Sequence, residues 1–148
     1  MIKLIDLEVY KVALEIGAKV FSLIDKWDYF NKDTLEKQFV RAADSMSLNI
    51  AEGYGRYFYK ENKNFNYYSR GSAFESTTCL RKALERNLIS IDQNKEMRFL
   101  FAKYFKLING YIKSIGEKKE DNFLNENVET YKSEAAELDN LLSNDQLT

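Results

Sequence analysis

The amino-acid sequence predicts an all-α, antiparallel up-down-up-down four-helix bundle, and three observations carry that prediction. Proline is absent from all 148 residues, so no helix interior meets an imino-acid break. Four apolar series recur at alternating steps of three and four residues, the spacing of one face of an α-helix. No segment alternates with period two as a half-buried strand would, and the links between the series are short enough to hold neighbouring helices antiparallel.

The first series, Leu7, Tyr10, Leu14, Gly17, Phe21 and Ile24, predicts a helix over residues 6–27 with that stripe toward the core. Asn31-Lys32-Asp33-Thr34 supplies candidate caps for a second helix, whose stripe is Leu35, Phe39, Ala42, Met46, Ile50 and Gly53. Gly53-Tyr54-Gly55 should end or bend it, because glycine weakens a helix interior by about 1 kcal/mol and accepts left-handed geometry at a C-terminus. In the third series, Phe65, Ser69, Ser72, Ser76, Cys79 and Ala83, most side chains are small. Small contact residues let helix axes approach, with Ala42, Ala43 and Ser47 as their expected opposite numbers. The pattern breaks between Asn87 and Asp92, where Ser90 or Asp92 can cap a fourth helix carrying Met97, Phe101, Tyr104, Ile108, Tyr111 and Ile115.

Beyond Gly116 the chain turns polar, yet Leu124, Val128, Tyr131, Ala135, Leu138 and Leu142 keep the four-three spacing, so two readings stay open there, an acidic C-terminal fifth helix and a frayed, solubilising chain end. The domain reading is a bundle at 1–119 and an acidic extension at 120–148. Residues 1–119 hold 21 Lys and Arg against 15 Asp and Glu, a net of +6, whereas residues 120–148 hold one Lys against eight acids, a net of −7. Such a division suits a nucleic-acid-binding body with a competing tail, and equally a surface charged for solubility.

The chain has no histidine, which removes the commonest general base and metal ligand together. Cys79 is the single cysteine, so neither an intrachain disulfide nor a thiolate zinc site is expected. No carboxylate pair stands isolated in an apolar setting, and Gly53-Tyr54-Gly55 lacks the Lys and Ser/Thr of a phosphate loop. The expectation is a protein that is not an enzyme, needs no cofactor or metal, and works by association. With no signal-like start and no run of about 20 apolar residues, a cytoplasmic, non-membrane protein is expected.

Two features bear on association. Gln38, Arg41, Ser45, Asn49, Glu52 and Arg56 form a polar stripe about 100° around the second helix from its core stripe, where charge-assisted bonds to Glu75 of the third helix are expected. Between Tyr54 and Tyr68 lie Tyr54, Tyr57, Phe58, Tyr59, Phe65, Tyr67 and Tyr68, interleaved with Arg56, Lys60 and Lys63 and followed by Arg70. Aromatic rings beside cations can stack bases and neutralise phosphates, and the same composition builds protein interfaces.

Arg41-Ala42-Ala43, Ser45, the run Asn49-Ile50-Ala51-Glu52-Gly53-Tyr54-Gly55-Arg56, and Arg70-Gly71-Ser72 with Glu75 resemble the signature of bacterial four-helix proteins of 23S ribosomal RNA intervening sequences. The likeness begins at Asp6-Leu7-Glu8-Val9-Tyr10-Lys11 and covers about residues 6–115. It implies a ring-like homopentamer and kinship with the accessory protein of diversity-generating retroelements, which assists a reverse transcriptase and contacts nucleic acid. Arg41, Asn49, Glu52, Gly53, Gly55, Arg56, Tyr57, Gly71, Ser72 and Glu75 are then the candidate interface or motif residues. Arg56, Lys60, Lys63, Arg70, Arg81 and Lys82 are the candidate nucleic-acid contacts. The expected partners are further copies of the chain and either RNA or a reverse transcriptase. Two functions stay open: an oligomeric accessory that binds RNA or an RNA-associated partner, and a protein-interaction scaffold without a nucleic-acid role.

Overall fold

The computed structural model describes residues 2–116; the candidate fifth helix and the extension at 120–148 lie outside them. Four long helices carry the fold: α1 (Glu8–Ile24), α2 (Lys37–Tyr54), α3 (Tyr59–Glu85) and α4 (Ile91–Ser114). A 3-10 turn, Leu4–Asp6, precedes α1, and a helical turn at Tyr29–Asn31 runs through a wide π-type segment, Lys32–Glu36, into α2. There is no strand among the described residues, so the chain is an all-α bundle.

The stripe expected to face inward on α1 is displaced. Leu14 and Phe21 are exposed, at 46% and 64%, while Val9, Val12, Ala13, Ile16, Val20 and Ile24 are buried. Both series are apolar and both have helical spacing. The α2 and α4 surfaces select the smaller, β-branched one, turned roughly 100° from the other. The α2 stripe is buried along its whole length from Leu35 to Gly53. Its entry differs from the expected one: Asp28 is the cap, accepting from the Asn31 amide at 2.9 Å, and Asn31 to Thr34 are already helical. Those bonds hold the exposed Asp28 carboxyl below its ordinary range, the backbone bond from Asn31 contributing most.

On α3, Ser69, Ser76, Cys79 and Ala83 are buried and Phe65 and Ser72 half-buried; α2, with Ala42, Ala43 and Ser47 buried, is its partner in the most extensive helix pair of the fold. Ser69 Oγ reaches the Met46 carbonyl at 2.7 Å and the Tyr104 hydroxyl at 2.6 Å, tying α2, α3 and α4 at mid-height. The link to α4 turns at Asn87, whose φ of 58° lets the Leu88 amide return to the Ala83 carbonyl at 2.9 Å and close the helix end. Ser90 then caps α4 in a full capping box: its hydroxyl accepts from the Gln93 amide, and the Gln93 side chain accepts from the Ser90 amide. Ser90→Ala is expected to cost about 1 kcal/mol in urea denaturation, because it leaves an N-terminal amide of α4 without its acceptor.

Contacts between helix ends show how the elements sit. The Tyr54 hydroxyl donates to the Ile2 carbonyl at 2.9 Å, joining the end of α2 to the start of the chain. The Trp27 indole donates to the Leu88 carbonyl at 3.1 Å, joining the segment after α1 to the α3–α4 link. Lys19 of α1 pairs with Glu96 of α4, and Gly116 packs beside Tyr59 at the start of α3.

Candidate self-association and nucleic-acid surfaces

The α2–α3 corner is organised by Gly53. A Cβ there would stand 2.8 Å from Asn62 Oδ1 and 2.9 Å from both the Asn62 carbonyl oxygen and Phe65 Cβ, so only a hydrogen lets α3 cross this closely. Gly55 ends the helix with φ −77° and ψ −2°, an ordinary right-handed geometry; the left-handed turn expected from glycine is not used at this cap. Beside it, Arg56 bonds Glu52 of its own chain turn at 2.6 Å and lies 4.8 Å over the Phe65 ring. The polar stripe is therefore stitched locally. Asn49 donates to the Ser45 carbonyl at 2.8 Å and Ser45 to the Arg41 carbonyl at 2.7 Å. The bonds expected from this stripe to Glu75 are not formed among the described residues; Arg56, just past the end of α2, pairs instead with Glu52 in the last turn of that helix.

Glu75 and Arg41 are exposed, and Gly71 sits mid-helix on α3 with no atom of the described residues within 4 Å of where its Cβ would be. Ser72 is half-buried, its carbonyl accepting from Ser76. Tyr57 is half-buried and packs edge-on against Phe58 at 5.0 Å. Of the seven aromatics, Tyr54, Tyr57, Tyr59 and Phe65 are half-buried, while Phe58, Tyr67 and Tyr68 are exposed.

The second surface is set by charge. Residues 59–114, which span α3 and α4, hold eleven Lys and Arg against five Asp and Glu, whereas residues 2–58 hold eight against nine. The basic excess of the bundle belongs wholly to one helix pair, a partition that counting each helix separately would have revealed. On α3, Lys60, Lys63, Tyr67, Arg70, Phe74 and Arg81 recur at steps of three, four or seven and so share one stripe. Arg70 donates to Asn109 Oδ1 of α4 at 2.9 Å and stacks 4.9 Å over Tyr67; Phe74 meets Phe105 of α4 at 4.7 Å; Arg81 pairs with Glu85 at 3.0 Å. Lys82 lies one step, about 100°, around the helix from Arg81, and Arg56 sits at the α2 flank of α3, so these two expected contacts fall outside the stripe. Exposed Lys95, Arg98, Lys106 and Lys113 extend the basic surface onto α4 and were not among the expected contacts.

Cys79 is buried, and that burial pushes its thiol up, with Glu75 adding to the shift; it is an apolar packing residue here. Among the described residues no group of three or more His, Cys, Asp or Glu is placed to hold a metal ion, and no helix is long and apolar enough to cross a membrane.

No curated protein matches the chain. A family model does, across the whole stretch from the first turn through most of α4, including the Gly53 corner and the Arg70 stripe. By that match, over residues 5–110, the chain belongs to the family of 23S rRNA-intervening sequence proteins.

Proposed function

We propose that this chain is a homo-oligomeric accessory protein that binds RNA, or an RNA-bearing partner such as a reverse transcriptase, through the basic face of α3 and α4. The observation that carries this reading is the placement of Lys60, Lys63, Arg70 and Arg81 on the same stripe as the exposed rings of Tyr67 and Phe74. Cations at that spacing neutralise phosphates while rings offer stacking platforms, a combination that tolerates many base sequences. Self-association would place several such faces along one polyanion and raise the effective concentration of each. Exposed Gly71 supports self-association, since a mid-helix glycine is disfavoured by about 1 kcal/mol and nothing among the described residues stands within 4 Å of its Cβ position to require it.

Titration with a labelled structured RNA at several salt concentrations tests the binding. The full chain is expected to bind with an affinity that falls steeply as salt rises, because phosphate contacts release counterions. Arg70→Glu combined with Lys63→Glu should weaken binding at least tenfold and flatten the salt slope, whereas Lys37→Glu on α2 should change it little. Absence of binding at low salt would overturn the RNA reading. Light scattering tests the assembly, with five copies as the number the resemblance implies; a single 17.4 kDa species at micromolar concentration would overturn it.

One observation favours a second reading, a protein scaffold. Leu14 and Phe21 on α1 and Leu48 on α2 are exposed on the helix pair that carries no basic excess. Salt-independent association without RNA affinity would select that function.

A further inference from the structure

An open groove of about 570 Å³ runs between α3 and α4, floored by buried Leu80 and Phe101 and walled by Leu84, Ala102, Arg81 and Arg98. We propose that the chain's own acidic segment, residues 120–148, occupies this groove, laying the apolar series from Leu124 to Leu142 on its floor.

Three observations single out this occupant. The first is pattern: the groove is apolar at its base and carries Arg98 on the α4 wall and, on the α3 wall, Arg81 paired with Glu85 at 3.0 Å. The segment offers the complement, an apolar seam with Glu134 on one flank and Asp139 and Glu129 on the other. The second is charge. The segment's net −7 stands against eleven Lys and Arg and five acids on the helix pair that forms the groove. Attraction between them is strengthened by a tether that makes docking intramolecular. The third is reach. At 1.5 Å per residue, the groove from Phe105 to Asn94 lies roughly 17 to 33 Å back along α4 from Gly116. Seven residues, 117–123, can extend about 23 Å, and the series from Leu124 to Leu142 spans about 27 Å in helical form. The segment can therefore double back along α4 and overlay the groove without strain. An isolated helix of this length is marginal in water, so the groove supplies the apolar contact that would hold it. The proposal rests on the groove and the segment, not on RNA binding.

Amide hydrogen exchange of the full chain tests it. Peptides within 124–142 are expected to exchange at least tenfold more slowly than an unstructured segment, at a rate independent of protein concentration. Ala102→Glu, at an exposed wall position, should remove that protection while leaving α1 to α4 unchanged. Leu138→Lys, which alters the segment and leaves every residue of α1 to α4 as it is, should have the same effect. Unprotected exchange of 124–142 in the native chain would overturn the proposal. So would protection that survives both substitutions, or protection that grows with protein concentration, which would place the segment on a second copy.

Discussion

Gly53→Ala is expected to destabilise the bundle by about 1–3 kcal/mol, the usual cost of forcing extra atoms into a filled contact. Two of the three atoms that the new Cβ would meet, the Asn62 carbonyl oxygen and Phe65 Cβ, both at 2.9 Å, belong to the α3 backbone or are fixed to it. Neither can rotate away, so α3 must shift. Alanine also gains about 1 kcal/mol of helix propensity over glycine, which offsets part of the loss. Gly110→Ala isolates that gain, since a Cβ at Gly110 meets nothing within 4 Å, and it should raise the urea midpoint. Gly71→Ala shares the open surroundings and should raise it too, but if a second copy packs there it should weaken self-association. A Gly53→Ala variant as stable as Gly110→Ala would contradict the close crossing of α2 and α3.

Tyr104 should give the largest single loss. It is fully buried, and Tyr104→Ala empties a ring-sized volume among three helices, expected to cost about 3–5 kcal/mol. Tyr104→Phe keeps the ring and removes only the hydroxyl. Ser69 uses its proton on the Met46 carbonyl, so the Tyr104 hydroxyl is the donor in their 2.6 Å contact, and its loss should cost about 1 kcal/mol. The two substitutions also separate on pH. Burial holds the Tyr104 phenol well above its ordinary value of 10.0 in the folded chain. Between that value and the raised one, the unfolded state loses a proton that the folded state keeps. Stability therefore falls as pH rises above about 10 and is intact below it. Burial of Tyr10 acts in the same direction. Denaturation series from pH 7 to 11 should show a steeper alkaline fall for the native chain than for Tyr104→Phe; equal slopes would mean that Tyr104 does not carry the effect.

How far the sequence reveals this fold depends on how many apolar faces each helix has. α2 and α4 each carry one dominant stripe, and their buried residues follow it, Tyr111 alone being only half-buried. α1 carries two. Tyr10, Leu14 and Phe21 are bulkier than Val12, Ala13 and Val20, but bulk does not decide orientation; the neighbouring surfaces do, and they are not encoded within α1. The third helix was legible because its small residues have one physical use, close approach, and Gly53 on the facing α2 meets it in the same way. The candidate site was only partly legible. Arg70 and Arg81 are single residues in the chain, and what joins them to Asn109, Arg98 and the Phe105 ring is the packing of α3 on α4. Local hydrogen bonding was also hidden: periodicity identifies the polar stripe of α2 but not that Arg56 turns to Glu52 and Phe65 rather than to Glu75.

Trp27 is the chain's single tryptophan, 6% exposed, with its indole N–H on the Leu88 carbonyl and its ring 6.4 Å from Phe39. It is thus a built-in optical reporter of one joint. Its emission should start at short wavelength and move to the red when the α3–α4 link leaves the segment after α1, because only then does water reach the indole. Fluorescence would follow the closing of that joint, while circular dichroism would follow helix content. A lag between the two signals during refolding would show the helices forming before the ends of the bundle are fastened.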